Sequence, residues 1–451
     1  MNLQRLVAPL LVTLGTAVLL APAETRAFDV FGDVLDLTQR DFRIRNNFTG
    51  AWANTNQTPD PDFPGSLGAE LAIRKAVAEW GSRPHGSGLT DPIQDELGSG
   101  GSNFDAFFAG QALVQGNRDS NVISVLQTSS GSFALTDLPI GDGWRIRFFE
   151  GSRSWNDSPF GVLGGVNAID IQGVMTHEFG HALGLAHSQV LGATMQTTTT
   201  DRGLDLRSIE QDDQDGVQFL YGVVDPAKPS IDDYELLAGG VLRLIGSGFD
   251  PADNAVWFTP SDPLFPGDGT PLKLTGVASV PGSGDAWIEV TLPAGAASGS
   301  VAVRVPGATS ASFSNVFPLN LNSEPWTAPI RYGTPGTSSG GFSVELDWSG
   351  VPSITAGGFR LQVRGGAAAG YGLIIAGTAP AQRTTGYGTL LVGGQVRRVA
   401  MMQLFLGLGE TFVPFDAGVF VGAKRYFQAW LPDGGPSGGV FTDALEVEIV
   451  Q

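Results

Sequence analysis

The spacing of apolar residues changes character along the chain. Ile73, Ala76, Val77 and Trp80 recur at i, i+3, i+4 and i+7, which predicts an amphipathic helix over residues 67–80. A second helix is predicted over 171–183 with Asp170 as its N-cap. A third is predicted over 209–221, where Ser208 and Gln211 have capping-box spacing and Gly222 supplies the stop. Strand-like runs at 121–126 and 144–149 lie between the first two helices. From Ser230 onward the period shortens to two. Ala286, Ile288, Val290 and Leu292 alternate with Trp287, Glu289 and Thr291, and the same pattern returns in Phe342, Val344, Leu346, Trp348, in Phe359, Leu361, Val363, and in Leu445, Val447, Ile449.

Proline-marked joints at 224–229 and 322–326 separate these textures. The pattern predicts a multidomain chain: an α+β domain with a mixed sheet and three helices over residues 28–224, then two all-β sandwich modules over 229–321 and 326–451. Residues 1–27 read as an export signal. Arg5 provides the positive start, residues 6–20 are mostly apolar, and small residues follow in Ala21-Pro22-Ala23 and Thr25-Arg26-Ala27. No later run is long and apolar enough to span a membrane, so the expected location is extracellular, with periplasm or cell surface as variants.

Composition narrows the partners. Hydrophobic residues make up 42% of the 451 residues and charged residues only 16%, so several cores can be buried. The formal charge of −19 disfavours phosphate backbones and anionic lipid surfaces. Nucleic acid and membrane partners are not expected. With no cysteine, disulfides, thiolate metal sites and a cysteine nucleophile are excluded.

Three of the four histidines fall in one short stretch, His177-Glu178-Phe179-Gly180-His181-Ala182-Leu183-Gly184-Leu185-Ala186-His187. On a helix His177 and His181 project from one face about a turn apart and can share one metal. Glu178 sits beside the first ligand, within reach of water at that metal. Gly184 stands where the helix must stop, and a sharp turn there returns His187 as a third ligand. Three neutral imidazoles with an open fourth position follow the plan of a catalytic zinc site.

This segment resembles the zinc-binding consensus of the metzincin metallopeptidases, and its form through Ser188 is similar to the matrixin branch. Met195 stands where matrixins place their Met-turn, and residues 211–222 are similar to the family's C-terminal helix. The resemblance implies a zinc-dependent endopeptidase acting on proteins or peptides. It implies Glu178 as general base, zinc on His177, His181 and His187, and Met195 as an apolar floor beneath them. It places the substrate along a sheet edge just before the active-site helix, at residues 160–166. Calcium is also within the family's range, with no ligand set that can be named. Three departures stand out: no cysteine is present for a latency switch, no histidine lies between His85 and His177 to hold a second zinc, and Gln196 followed by Thr197 to Thr200 replaces the usual Pro-x-Tyr wall. A secreted, non-catalytic adhesion protein with an inactive peptidase-like domain remains the alternative.

Other features have plainer readings. His85 reads as a loop histidine. Asp212, Asp213 and Asp215 read as helix-capping and local hydrogen-bonding groups rather than a calcium loop. Residues 229–321 resemble an IPT/TIG immunoglobulin-like domain, carried by Pro229-Ser230-Ile231 and the stretch from Gly239 to Phe249. Neither β-module carries a catalytic constellation; surface, polysaccharide or protein contacts are the roles open to them.

Overall fold

The fold is given by a computed structural model. It describes residues 27–450 except 37–39, 49–62, 64–65, 83–99, 118–119, 129, 139–140, 142, 152, 165–167, 200–201, 263–271, 322–328, 350–351, 355–358, 368, 406 and 416–418. Residues 1–26 of the export segment, His85 and the second proline joint lie outside the described residues.

The first unit holds β1 (Asp41–Arg45), α1 (Gly68–Ala78), β2 (Phe107–Ala112), β3 (Val122–Leu126), β4 (Ala134–Asp137) and β5 (Arg145–Phe149). It continues with β6 (Ser154–Asn156), α2 (Pro159–Gly164), β7 (Ala168–Asp170), α3 (Ile171–Leu183) and α4 (Gln211–Tyr221). The main sheet runs β2-β1-β3-β5-β4, parallel except for β4, which pairs antiparallel with β5 at the edge. Helices α1 and α3 pack on each other and share one core with the sheet, in which Ile73, Trp80, Ile123, Trp144, Ile146 and Phe179 are all buried. The Trp80 indole N–H donates to the Thr176 carbonyl at 2.9 Å, tying the end of α1 to the middle of α3.

Three expected helices are present, and a short fourth, α2, joins them among the described residues. It occupies the stretch where the substrate-binding edge strand was expected. Pro159 at the first helical position presets φ for a helix, and an apolar run this short does not distinguish helix from strand by periodicity. The sheet edge beside α3 is β4 instead. The cap of α4 also differs from expectation: Glu210 and Asp213, rather than Ser208 and Gln211, form the capping box.

Two further units are built from strands. The first comprises β8 (Ser230–Leu237), β9 (Val241–Ser247), β10 (Asn254–Pro260), β11 (Leu272–Val277), β12 (Trp287–Thr291), β13 (Ala296–Arg304) and β14 (Phe317–Leu319). Sheets β12-β9-β8 and β11-β10-β13-β14 contribute to one core, with Leu242, Leu244 and Ile288 from one and Val256, Phe258 and Val301 from the other. The second is a nine-stranded sheet running between residues 330 and 448 with a separate hairpin at 379–393, around Leu346, Leu361, Ile374, Leu404, Phe427 and Leu445. The alternation read at 342–348, 359–363 and 445–449 falls on its strands.

The first β-unit is docked on the outer edge of the mixed sheet. Phe107 and Ala109 of β2 are buried with Trp257, Ala302, Phe313 and Val316. The Thr259 hydroxyl donates to the Phe108 carbonyl at 2.6 Å, and Arg74 donates to the Gly299 carbonyl at 3.0 Å. The Arg40 guanidinium lies against the rings of Phe104 and Phe313, and Lys228 forms a buried ion pair with Asp105 at 3.0 Å. Burial lowers the Arg40 pKa to about 10.

Candidate metal centre

The active elements begin at Asp170. Its backbone is extended and its carboxylate accepts from the Gly173 N–H at 2.7 Å, which satisfies one of the free donors at the start of α3. The same carboxylate is gripped by Arg207, with Nη2 to Oδ1 at 2.6 Å and Nε to Oδ2 at 2.8 Å. Arg207 also donates to Gln172 Oε1 at 3.1 Å. At the other end Gly184 adopts φ 112°, a left-handed conformation costly for any residue with a Cβ, and its N–H closes onto the carbonyls of Gly180 and His181. The turn then carries Leu185 to His187 back along the helix.

His177, His181 and His187 converge, each with a ring nitrogen within 4.8 Å of the others. His177 Nδ1 donates to the Thr194 carbonyl at 2.7 Å and His181 Nδ1 donates to the Leu185 carbonyl at 2.8 Å. A carbonyl can only accept, so both rings carry their proton on Nδ1 and present an Nε2 lone pair when neutral. Burial is the main cause that lowers the His177 pKa to about 4 and that of His181 to about 3. His187, more exposed, is shifted down for the same reason. All three are neutral at physiological pH, the form that binds metal. His181 Nε2 and His187 Nε2 stand 3.3 Å apart. Tetrahedral zinc with Zn–N near 2.0–2.1 Å sets its ligand nitrogens about 3.3–3.4 Å apart. The donor set and its spacing fit a zinc ion.

Glu178 faces the same cleft and is 7% exposed. Burial raises its pKa to about 7, opposed by hydrogen bonding from Thr136. The cleft encloses about 700 Å³ and is lined by Thr136, Leu138, Val174 and Leu206 together with the histidines.

Met195 is buried beneath the helix. A Cβ on Gly180 would collide with the Met195 sulfur and come within 2.8 Å of the Trp80 ring, so the glycine permits the close approach. Asp213 holds this turn: its carboxylate accepts from the backbone N–H of Thr194 at 2.8 Å and of Met195 at 3.0 Å. Asp212 accepts from the Ser188 hydroxyl at 2.6 Å and Asp215 from Gln211 Nε2 at 2.8 Å. The acidic run therefore serves capping and local anchoring, and among the described residues the histidine triplet is the group with metal-binding geometry.

Two contributors escaped the sequence reading. Phe31, on a segment whose residues 29–31 hydrogen-bond to Gly184 and Ala186, brings its ring to 5.8 Å from that of His181. Thr136 reaches Glu178 from β4. Neither has a neighbour in sequence that signals the contact.

Comparison with known proteins agrees with this geometry. The matrixin family model (Peptidase_M10) matches residues 115–222. Interstitial collagenase of Bos taurus is 36% identical over 100 residues, covering 21% of this chain and 20% of that protein. Neutrophil collagenase of Homo sapiens is 46% identical over 61 residues, 13% of each chain. Metalloendoproteinase 2-MMP of Arabidopsis thaliana is 46% identical over 57 residues, 12% of this chain and 14% of that one. The chain thus spans a fifth or less of the length of these relatives. The buried helix, its histidines, the Met195 turn and the matched segment together identify residues 115–222 as a matrixin-type metzincin domain, of the zinc metallopeptidase class.

Proposed function

We propose that the protein is a secreted zinc endopeptidase that hydrolyses peptide bonds in extracellular proteins. The observation that carries this reading is the convergence of three neutral imidazoles beside a buried carboxyl in an open cleft. His177, His181 and His187 hold the metal, and Glu178 is the general base. When bound, zinc supplies Lewis-acid polarisation of the scissile carbonyl and makes water more acidic.

The chain's own groups do the rest. Thr194 and Leu185 carbonyls fix the tautomers and ring planes of His177 and His181. Glu178 takes a proton from the attacking water and passes it to the leaving amine, a task suited to a carboxyl whose pKa lies near the working pH. Among the described residues strand β4 pairs on one side only, and its outer edge runs along the cleft, where an extended peptide can add as a further strand. Leu138, Val174 and Leu206 offer apolar surface to a substrate side chain, with Gln196 and Thr197 to Thr199 in place of a Pro-x-Tyr wall.

In this reading residues 1–27 direct export, 28–224 form the peptidase domain, and 229–321 and 326–451 are β-sandwich modules, the first of IPT/TIG type. Those modules bind surfaces, polysaccharides or proteins, or space the enzyme from them. The test is casein cleavage by purified wild type and by Glu178→Ala, with zinc content measured in both. The expected result is cleavage by the wild type and none by the variant at equal zinc content. Equal cleavage by both would remove Glu178 from the mechanism, and zinc-loaded wild type inert on casein and on mixed peptide libraries would favour the non-catalytic adhesion reading.

A further inference from the structure

A single hydroxyl from the neighbouring sheet bridges two oxygens of Glu178. Thr136 lies third in the four-residue edge strand β4 and is 9% exposed, whereas Leu135 beside it is 45% exposed. Alternation along the strand therefore turns Thr136 towards α3. Its Oγ1 lies 2.7 Å from Glu178 Oε2 and 2.8 Å from the Glu178 main-chain oxygen.

The position of that hydroxyl is set by its surroundings. Thr136 is paired with Ile146 of β5 in the antiparallel ladder. The next residue, Asp137, is 7% exposed and accepts from Arg145 Nε at 2.9 Å and Arg147 Nη2 at 2.6 Å. Both arginines belong to β5, so the end of the short edge strand is pinned to the sheet interior one residue past the contact. Threonine itself is stiff at χ1 because its Cβ carries two heavy atoms. The Glu178 carbonyl is part of α3. A side chain fixed at both of these points has little freedom left.

We propose that Thr136 is a positioning residue for Glu178: its hydroxyl ties Oε2 to the sheet and leaves Oε1 as the oxygen presented to the cleft. This rests on the reading of Glu178 as general base. The hydroxyl has one proton to donate, and Oε2, the oxygen turned away from the cleft, can accept it throughout. While Glu178 is a carboxylate, Thr136 donates to Oε2. Once Glu178 carries the proton taken from water on Oε1, Oε2 is the carbonyl oxygen of the acid and goes on accepting from Thr136. The carboxyl keeps its orientation through both halves of the cycle.

The test uses the full chain with Thr136→Val, which is nearly isosteric and lacks the hydroxyl, and Thr136→Ser, which keeps it. Steady-state cleavage of casein-derived peptides should show kcat falling about 10–100-fold in the valine variant, the loss expected for one hydrogen bond to a charged group. KM should stay within about twofold, because substrate binding does not use this hydroxyl. Zinc content and thermal midpoint should match the wild type, and serine should restore most of kcat. In a Glu178→Gln background the valine change should add nothing further. A crystal structure of Thr136→Val should show the Glu178 side chain out of its wild-type rotamer, a readout independent of turnover. Wild-type kcat in Thr136→Val with Glu178→Gln inactive overturns the positioning role alone, as does serine as impaired as valine or an unmoved Glu178 rotamer. Full activity in Glu178→Gln overturns the reading of Glu178 and this inference with it.

Discussion

Replacing Asp170 by alanine should cost the metal-binding unit much of its stability, although Asp170 is not among the residues assigned to ligation. The carboxylate has two tasks at once: it caps α3 through Gly173 and forms the bidentate pair with Arg207. Asp170 is 0% exposed and Arg207 is 1% exposed, so water cannot take over either role. Loss of an N-cap costs about 1 kcal/mol. Removing one partner of a buried pair costs about 3–5 kcal/mol, because the remaining charge stays buried without its counter-ion. The combined loss of about 4–6 kcal/mol compares with a total stability of about 5–15 kcal/mol for a typical domain. For a unit of this size about 2–4 °C of midpoint is lost per kcal/mol, so thermal release of zinc should come at least 8 °C earlier. Urea unfolding of the zinc-loaded protein, followed by a coloured zinc indicator, reads the first unit separately from the two β-units. The control is Asp170→Asn with Arg207→Met, which retains a capping side chain and removes both charges. An uncharged replacement of a buried pair is often neutral or better, so this double variant should lie within about 2 kcal/mol of wild type. A single Asp170→Ala within about 1 kcal/mol of wild type, or a double variant as unstable as the single, would refute the reasoning.

The remaining expectations concern the floor of the site and its protons. Gly180→Ala forces a methyl group into Met195 and Trp80 and should destabilise by about 1–3 kcal/mol through overpacking, read as a lower urea midpoint with weaker zinc retention. An unchanged midpoint would mean that Met195 does not pack against Gly180. In chelator-treated protein, His177 and His181 titrate at about 4 and about 3, below the ordinary 6.5. The unfolded chain then binds more protons below pH 6.5, so the contribution is fully present above that value and is lost as pH falls through 6.5 towards 4. Urea midpoints across this window should slope less in His177→Gln with His181→Gln than in wild type, and identical slopes would count against the burial argument.

The helix bearing His177 and His181 was legible because every signal for it is local. Asp170 as cap, the i, i+4 histidines and Gly184 as stop all lie within a few turns, and the structure places each where the spacing requires. The alternating strands of the β-units were visible for the same reason. What escaped depends on contacts between distant residues. The cleft-side edge is a strand of only four residues, Ala134–Asp137, with a single exposed apolar position to mark it. Thr136 and Glu178 are 42 positions apart, and Arg207 and Asp170 are 37 apart. Residues 159–164 carried an apolar run compatible with either period, and Pro159 decided for helix. At the start of α4, the hydrogen bonds of Glu210 and Asp213 displaced a cap that Ser208 could equally have supplied by spacing.

The docking of the first β-unit on β2 has a consequence for how the mixed sheet can grow. A sheet that is open at both ends can recruit strands at either, including strands from other copies of itself. Here Trp257, Thr259 and Phe313 cover one margin, and Thr259 takes up the Phe108 carbonyl there. Among the described residues the other margin, β4, pairs only with β5 and runs beside the three imidazoles. Chain recruitment is thereby directed to one side. An extended segment that joins this sheet arrives next to Glu178, and a segment that would join elsewhere meets a wall.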